Sequence, residues 1–199
     1  MPKSGRRSPG KRLIITLAAL ASVIVGYYLG QHWQRRPLAD LSAVVYPAGQ
    51  PVEYPPGLVI DSDPDIPPPW RLFLAADTRV AECVRLMRHY ATVFNRLAAW
   101  PTIQDNLRLT VLAYDRPDAA AVTAFTGGVE WAEILSTDPQ QLEPLGRQLG
   151  ILPDPDAWCG ETGANAILVA PDRKRWALIP NEQAAMMARN ISTIIAFVE

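Results

Sequence analysis

The sequence predicts an α/β fold, a mixed sheet with helices on both faces. Three features carry that prediction: short apolar runs each followed by a segment of helical periodicity, a late pair of apolar runs joined by a turn, and a closing amphipathic helix. The organising stretch runs from Arg71 to Trp100. Leu72, Phe73 and Leu74 form an apolar run ahead of Asp77 and Thr78, either of which can cap a helix by accepting from its free N–H groups. From Val80 onward Val80, Cys83, Val84, Met87, Tyr90, Ala91, Phe94, Leu97 and Ala98 recur at steps of three and four and make one apolar helix face. Glu82, Arg85, Arg88, His89, Asn95 and Arg96 fill the other, so His89 is expected in solvent.

Further along, Leu107 to Tyr114 alternates and then runs apolar, as a strand buried on both faces does. A short helix is predicted over 118–125, ended by Gly127-Gly128, and a third strand over 129–135. Asp138 before Pro139 supplies a cap and a first-turn proline for a helix whose stripe is Leu142, Leu145 and Leu149 and whose end is Gly150. The segment 152–163 reads as a loop. Residues 165–170 and 175–179 flank the turn Pro171-Asp172-Arg173-Lys174 as a hairpin, and 182–197 close the chain as a helix. The order β-α-β-α-β-α-β-β-α, parallel first and antiparallel last, is the thioredoxin-like arrangement with an extra helix.

Ahead of this domain the composition changes. Residues 1–12 hold five cations and no acid, and the next 18, 13–30, hold no charge, which is close to the minimum that spans a bilayer. Tyr27, Tyr28 and Trp33 sit at the far edge of that run, followed only by Arg35 and Arg36, so the positive-inside rule places the C-terminal part in the periplasm. A cleaved signal peptide ending at Ala19-Leu20-Ala21 is the competing reading, although the uncharged run continues past it to Gly30. The expected organisation is a basic cytoplasmic tail at 1–12, an inner-membrane anchor at 13–30, a proline-rich spacer and lead-in at 31–69, and a periplasmic domain at 70–199. Within the lead-in, 41–46 and 58–60 are expected to form a marginal hairpin against the domain, flanked by the Asp61 to Asp65 turn.

Charge excludes one class of partner. Seven of the 19 Lys and Arg residues precede residue 37 and all 20 acids follow it, so the soluble part carries 12 cations against 20 acids, a balance of −8. Such a domain repels phosphate backbones and attracts cations, which argues against nucleic acid. No Ser-His-Asp order and no glycine-rich phosphate loop is present, and Asp115, Asp118, Asp138, Asp154 and Asp156 read as solvated loop carboxylates. No enzyme activity is expected.

Several segments, taken in order, resemble the Sco/SenC family. They are the anchor and proline-rich lead-in, the strand ending at Asp115 where the family has a Val-Asp-Pro segment, Thr137-Asp138-Pro139 before a helix ending in Leu149-Gly150, and the hairpin NAILVAPDRKR at 165–175. The resemblance implies a thioredoxin-like fold and a role in delivering copper to the binuclear copper site of cytochrome c oxidase. The family's ligands are a CxxxC at the helix start and a histidine before the hairpin, soft donors suited to copper. Matching Cys83 to the second cysteine puts Arg79 at the first, and the histidine position falls near Thr162 or Gly163. The chain therefore looks like a degenerate member that keeps the partner, an oxidase subunit or another assembly factor, and lacks the chemistry; no cofactor is expected.

Cys83 and Cys159 remain open to three readings. In this fold the loop before the hairpin approaches the helix start, so the pair is expected to form a disulfide in an oxidising compartment. Alternatively the pair is a relocated copper site or a thiol–disulfide couple, and the protein is a copper carrier or oxidoreductase. The third reading leaves two unrelated buried thiols, with Cys83 as core packing; a structural domain with no oxidase connection is a separate functional alternative. The topology is directly testable: a reporter fused after Glu199 should be active only when exported, and a cytoplasmic reporter active there would reject the positive-inside argument.

Overall fold

A computed structural model describes residues 9–55, 58, 60, 67–151, 158–160 and 164–199, with side chains of the first helix described at 14–28 and 38. It divides into two units, Met1–Asp40 and Leu41–Glu199. In the first, α1 (Pro9–Ala39) is a single helix on which Ile14, Leu17, Leu20, Val23, Ile24 and Tyr28 are all exposed. Among the described residues no helix is long and apolar enough to cross a membrane. Leu13, Leu29 and Gly30, the ends of the expected anchor, and His32 and Trp33 beyond it, lie outside the described side chains.

The second unit is a six-stranded mixed sheet in the order β1-β6-β5-β2-β3-β4. Its strands are β1 (Val44–Pro51), β2 (Trp70–Ala76), β3 (Leu107–Ala113), β4 (Ala132–Leu135), β5 (Ala166–Val169) and β6 (Lys174–Ile179). β2, β3 and β4 run parallel, while β5 is antiparallel to both β2 and β6. The helices are α2 (Ala81–Leu97), α3 (Pro101–Asp105), α4 (Ala119–Thr126), α5 (Pro139–Leu149) and α6 (Ala184–Val198). The β2-α2-β3 unit and the β5-β6-α6 unit are the two halves of the thioredoxin-like core that the periodicity implies. Local chemistry sets the boundaries. Asp118 caps α4 by accepting from the Ala121 N–H at 2.7 Å, Asp138 caps α5 by accepting from Gln140 N–H at 3.0 Å, and Gly127 and Gly150 end them at φ 69° and 76°.

Side-chain alternation divides the core into two layers. On one face Phe73, Leu112, Ile167 and Val169 meet Leu142, Leu145 and Leu149 of α5, joined by Val52 and Ile60. The other face carries Leu72, Leu74, Leu109, Val111 and Leu168, all buried, beneath the apolar stripes of α2 and α6, which lie against each other. Each such side chain contributes about 2 kcal/mol of burial free energy, so the two layers dominate the stability. A polar cluster enters the α5 face: Arg71 is 4% exposed, donates to Thr110 Oγ1 and to the Ile60 carbonyl, both at 3.0 Å, and pairs with Glu133. Thr110 Oγ1 donates to Glu133 Oε1 at 2.6 Å, so the charge is shared across three adjacent strands.

The expected lead-in is corrected. The 41–46/58–60 hairpin is not formed: β1 lies within the expected spacer and pairs antiparallel with β6, Val44 opposite Leu178 and Gln50 opposite Arg175. The physical reason is that β6 would otherwise present an unpaired edge. Pro47 is tolerated because the register breaks between Val45 and Gln50, where Gly49 sits at φ +62°. The Asp61 to Asp65 turn lies outside the described residues. Between α2 and β3, α3 is a single turn begun by Pro101 at its first position.

Gly146 shows how tightly α5 sits on the sheet. A Cβ there would lie 2.6 Å from Tyr114 Oη, whose ring is stacked on Trp158. Gly146→Ala should therefore cost about 1–2 kcal/mol by overpacking, although alanine is the better helix former by about 1 kcal/mol. In a Tyr114→Phe background the same change should become neutral or stabilising. Equal costs in the two backgrounds, measured by urea unfolding, would refute the contact.

Candidate functional site

The site is the junction where β2 delivers the chain to α2. The expected cap is not made: the N-cap residue is Val80, without a side-chain cap bond, and the helix starts at Ala81. Asp77 is engaged elsewhere. Its Oδ1 accepts from the Arg79 backbone N–H at 2.9 Å and from Arg79 Nε at 3.0 Å, while Oδ2 accepts from an Arg79 terminal nitrogen at 2.8 Å. Thr78 turns the other way, its N–H and Oγ1 donating to Asp115 Oδ2 at 3.1 and 2.6 Å. Asp115 is therefore not the solvated carboxylate expected: its side chain is 1% exposed, and its Oδ1 has no hydrogen-bond partner among the described residues. The position matching the family's first cysteine thus holds a guanidinium clamped onto Asp77, 73% exposed.

Cys83 is the third residue of α2, faces the core and is 2% exposed. It is joined by a disulfide to Cys159, across a Cα–Cα distance of 5.0 Å and a sequence separation of 76. Of the three sequence readings, the bridged one is the state the structure describes. Cys159 is held from both sides: its Sγ lies 3.9 Å from the Ala75 carbonyl oxygen, and the adjacent Trp158 stacks on Tyr114 at 4.7 Å between centroids. Closing a loop of that length restricts the unfolded chain by about 4 kcal/mol in the chain-entropy account. Bonded to each other, the sulfurs present no thiolate to a metal ion.

Beside the disulfide lies an open groove of about 480 Å³, walled by Arg85, Leu86 and His89 of α2, by Asn181 and Glu182 ahead of α6, and by Cys159. His89 is corrected from its expected place in solvent. Its Nε2 lies 2.8 Å from the Glu182 carbonyl oxygen, which can only accept, so that nitrogen donates; Met187 Sδ is 3.3 Å away. Glu182 is itself fixed, its Oε1 accepting from Asn190 Nδ2 at 2.7 Å and from Ser42. Asn181 and Trp158 escaped the sequence reading because nothing in their local pattern distinguishes them from loop residues, and Glu182, expected to open the closing helix, lies ahead of α6 instead.

The family-type donor set does not fit these residues. Arg79 is a cation where a thiolate would stand, and among the described residues no group of three or more His, Cys, Asp and Glu side chains could hold a metal ion. Thr162 and Gly163, at the histidine position, and Asp154 and Asp156 lie outside the described residues. Electrostatics here are local: the Arg79 guanidinium lowers the Asp77 carboxyl below its ordinary value of 3.8. A depressed native value means the stabilisation is complete above 3.8 and is lost as pH falls through the lower native value. Asp77→Asn keeps the acceptor for the Arg79 backbone N–H and Nε and removes the charge together with the second acceptor, the one facing the terminal guanidinium nitrogen. The stability gap between wild type and this variant should be constant above about pH 5 and close below about pH 4; a gap that widens on acidification would contradict the pairing.

No family model and no curated protein matches the chain. Solved structures do. The apo Sco1 protein from Thermus thermophilus superimposes with a TM-score of 0.54 at 14% identity, over 78% of this chain and 96% of that one. ScoI from Arabidopsis thaliana, solved with copper bound, gives 0.53 at 11% identity, over 65% and 85%. A SCO1/SenC family lipoprotein from Bacillus anthracis gives 0.51 at 11%, over 66% and 84%. The chain is similar to Sco/SenC structures, and what it shares with them is the fold.

Proposed function

We propose that the chain is a Sco-like protein of the bacterial inner membrane, anchored by residues 13–30 with its domain in the periplasm. In this reading it acts as a non-catalytic binding or assembly factor for a respiratory cytochrome c oxidase. The observation that carries it is the substitution at the helix start. Arg79 stands where the family's chemistry needs a thiol and is held by Asp77, and Cys83 is bonded to a loop cysteine instead of pairing within its own turn. A domain with the family's fold and without its helix-start thiol pair is suited to the contacts of assembly more than to the metal and CxxxC steps the family carries out at that turn. The acidic balance of the domain favours a partner that presents cations.

The purified full-length protein in detergent should carry no stoichiometric copper, and an oxidase subunit should be recovered with it after cross-linking in membranes. Stoichiometric copper that is lost in a Cys83→Ser/Cys159→Ser variant would replace this reading with the carrier alternative. Absence of both copper and oxidase would leave a structural domain unconnected to oxidase assembly.

A further inference from the structure

We propose that the Cys83–Cys159 disulfide is exchangeable, and that Cys159 is the sulfur through which it reacts with a thiol-bearing partner entering the groove. The two sulfurs are unequally placed. Cys83 is 2% exposed on the core face of α2, with the sheet behind it. Cys159 is half-buried and lines the groove of about 480 Å³, a volume that admits a cysteine side chain with its neighbouring residues. The walls are mixed in charge, Arg85 and His89 against Glu82 and Glu182, so an approaching thiolate meets no single-sign barrier.

Exchange requires a thiolate to attack one sulfur while the other leaves with the bonding electron pair. Attack at Cys159 Sγ forms a partner–Cys159 disulfide, breaks the Cys83–Cys159 bond and leaves the pair on Cys83 Sγ. That leaving group is the third residue of α2, where the free N–H groups of the first turn and the positive helix end stabilise a thiolate. A second thiol of the partner then attacks its own sulfur in the mixed disulfide. The partner becomes a disulfide, and Cys159 leaves as the second thiolate. The chain's disulfide is the oxidant, consumed once per partner dithiol. The roles are set by access: the loop cysteine is attacked and the helix cysteine leaves.

The inference rests on the proposed partner only for the source of the thiol, so it is tested without one. Full-length protein in detergent, under native conditions, is exposed to a series of reduced glutathione concentrations, quenched with acid, alkylated and mapped by peptide mass. The expected result is a glutathione adduct on Cys159, with Cys83 recovered as an alkylated free thiol. In folded variants, checked by circular dichroism, the thiol of Cys83→Ser should react with Ellman's reagent at least about tenfold faster than the thiol of Cys159→Ser, as the difference in access requires. A disulfide that glutathione opens only in urea, an adduct on Cys83, or equal reactivity of the two variants would overturn the proposal. Any of these would leave oxidase binding standing. Loss of oxidase recovery with the glutathione adduct intact would remove the assembly reading alone.

Discussion

Strand β2 is buried along its whole length, Trp70 to Ala76, and the remaining structure follows from that constraint. A strand covered on both faces needs helices above and below it, and hydrogen-bonding neighbours on both edges. The parallel partner β3 requires a crossover, which α2 supplies, and the antiparallel partner β5 is brought in from far along the chain. The seven consecutive parallel pairs between β2 and β3 fix the register, and with it the level at which α2 begins. Asp77, Thr78, Arg79, Cys83 and Asp115 meet at that level because each lies within a few residues of where β2, β3 or α2 ends or starts.

The same geometry accounts for the disulfide. The end of β2 at Ala75 and Ala76 forms a floor, the first turn of α2 one wall, and the segment Trp158 to Gly160 the other; the Trp158 ring on Tyr114 holds that segment down. The bridge and the α5 layer therefore depend on one another. Tyr114 touches Trp158 on one side and reaches toward Gly146 of α5 on the other. Burial also raises the Tyr114 phenol pKa, with the Glu143 carboxylate adding to it, so the ring stays neutral while it packs. A chain-entropy gain of about 4 kcal/mol from the bridge is comparable with two buried leucines, a large share of the marginal stability of a domain this size.

The fold was largely legible before any coordinates. Periodic segments such as 142, 145 and 149 can bury only as one helix face, and punctuation such as Asp138-Pro139 and Gly150 marks where that face starts and stops. What was misread shares a cause. β1 carries two prolines and a glycine, so its sequence argues against a strand; it is one because β6 offers an open edge and a bulge absorbs Pro47. Asp77 and Thr78 have the chemistry of caps, but Arg79 and Asp115 compete for them and win by two or more hydrogen bonds each.

Sequence alone determined the alternation of strands and helices, the acidic domain behind a basic N-terminus with an uncharged run, and the presence of a single thiol at the helix start, because composition, periodicity and residue identity are local properties. Only the tertiary structure decided that Cys83 and Cys159 are bonded, that His89 turns from solvent to the Glu182 carbonyl, and that Asp115 is buried. Those outcomes depend on distances between segments separated by tens of residues. Such distances are set by the register of β2 against its two neighbours and by how closely α2, α5 and α6 approach the sheet, quantities that no single stretch of the chain carries.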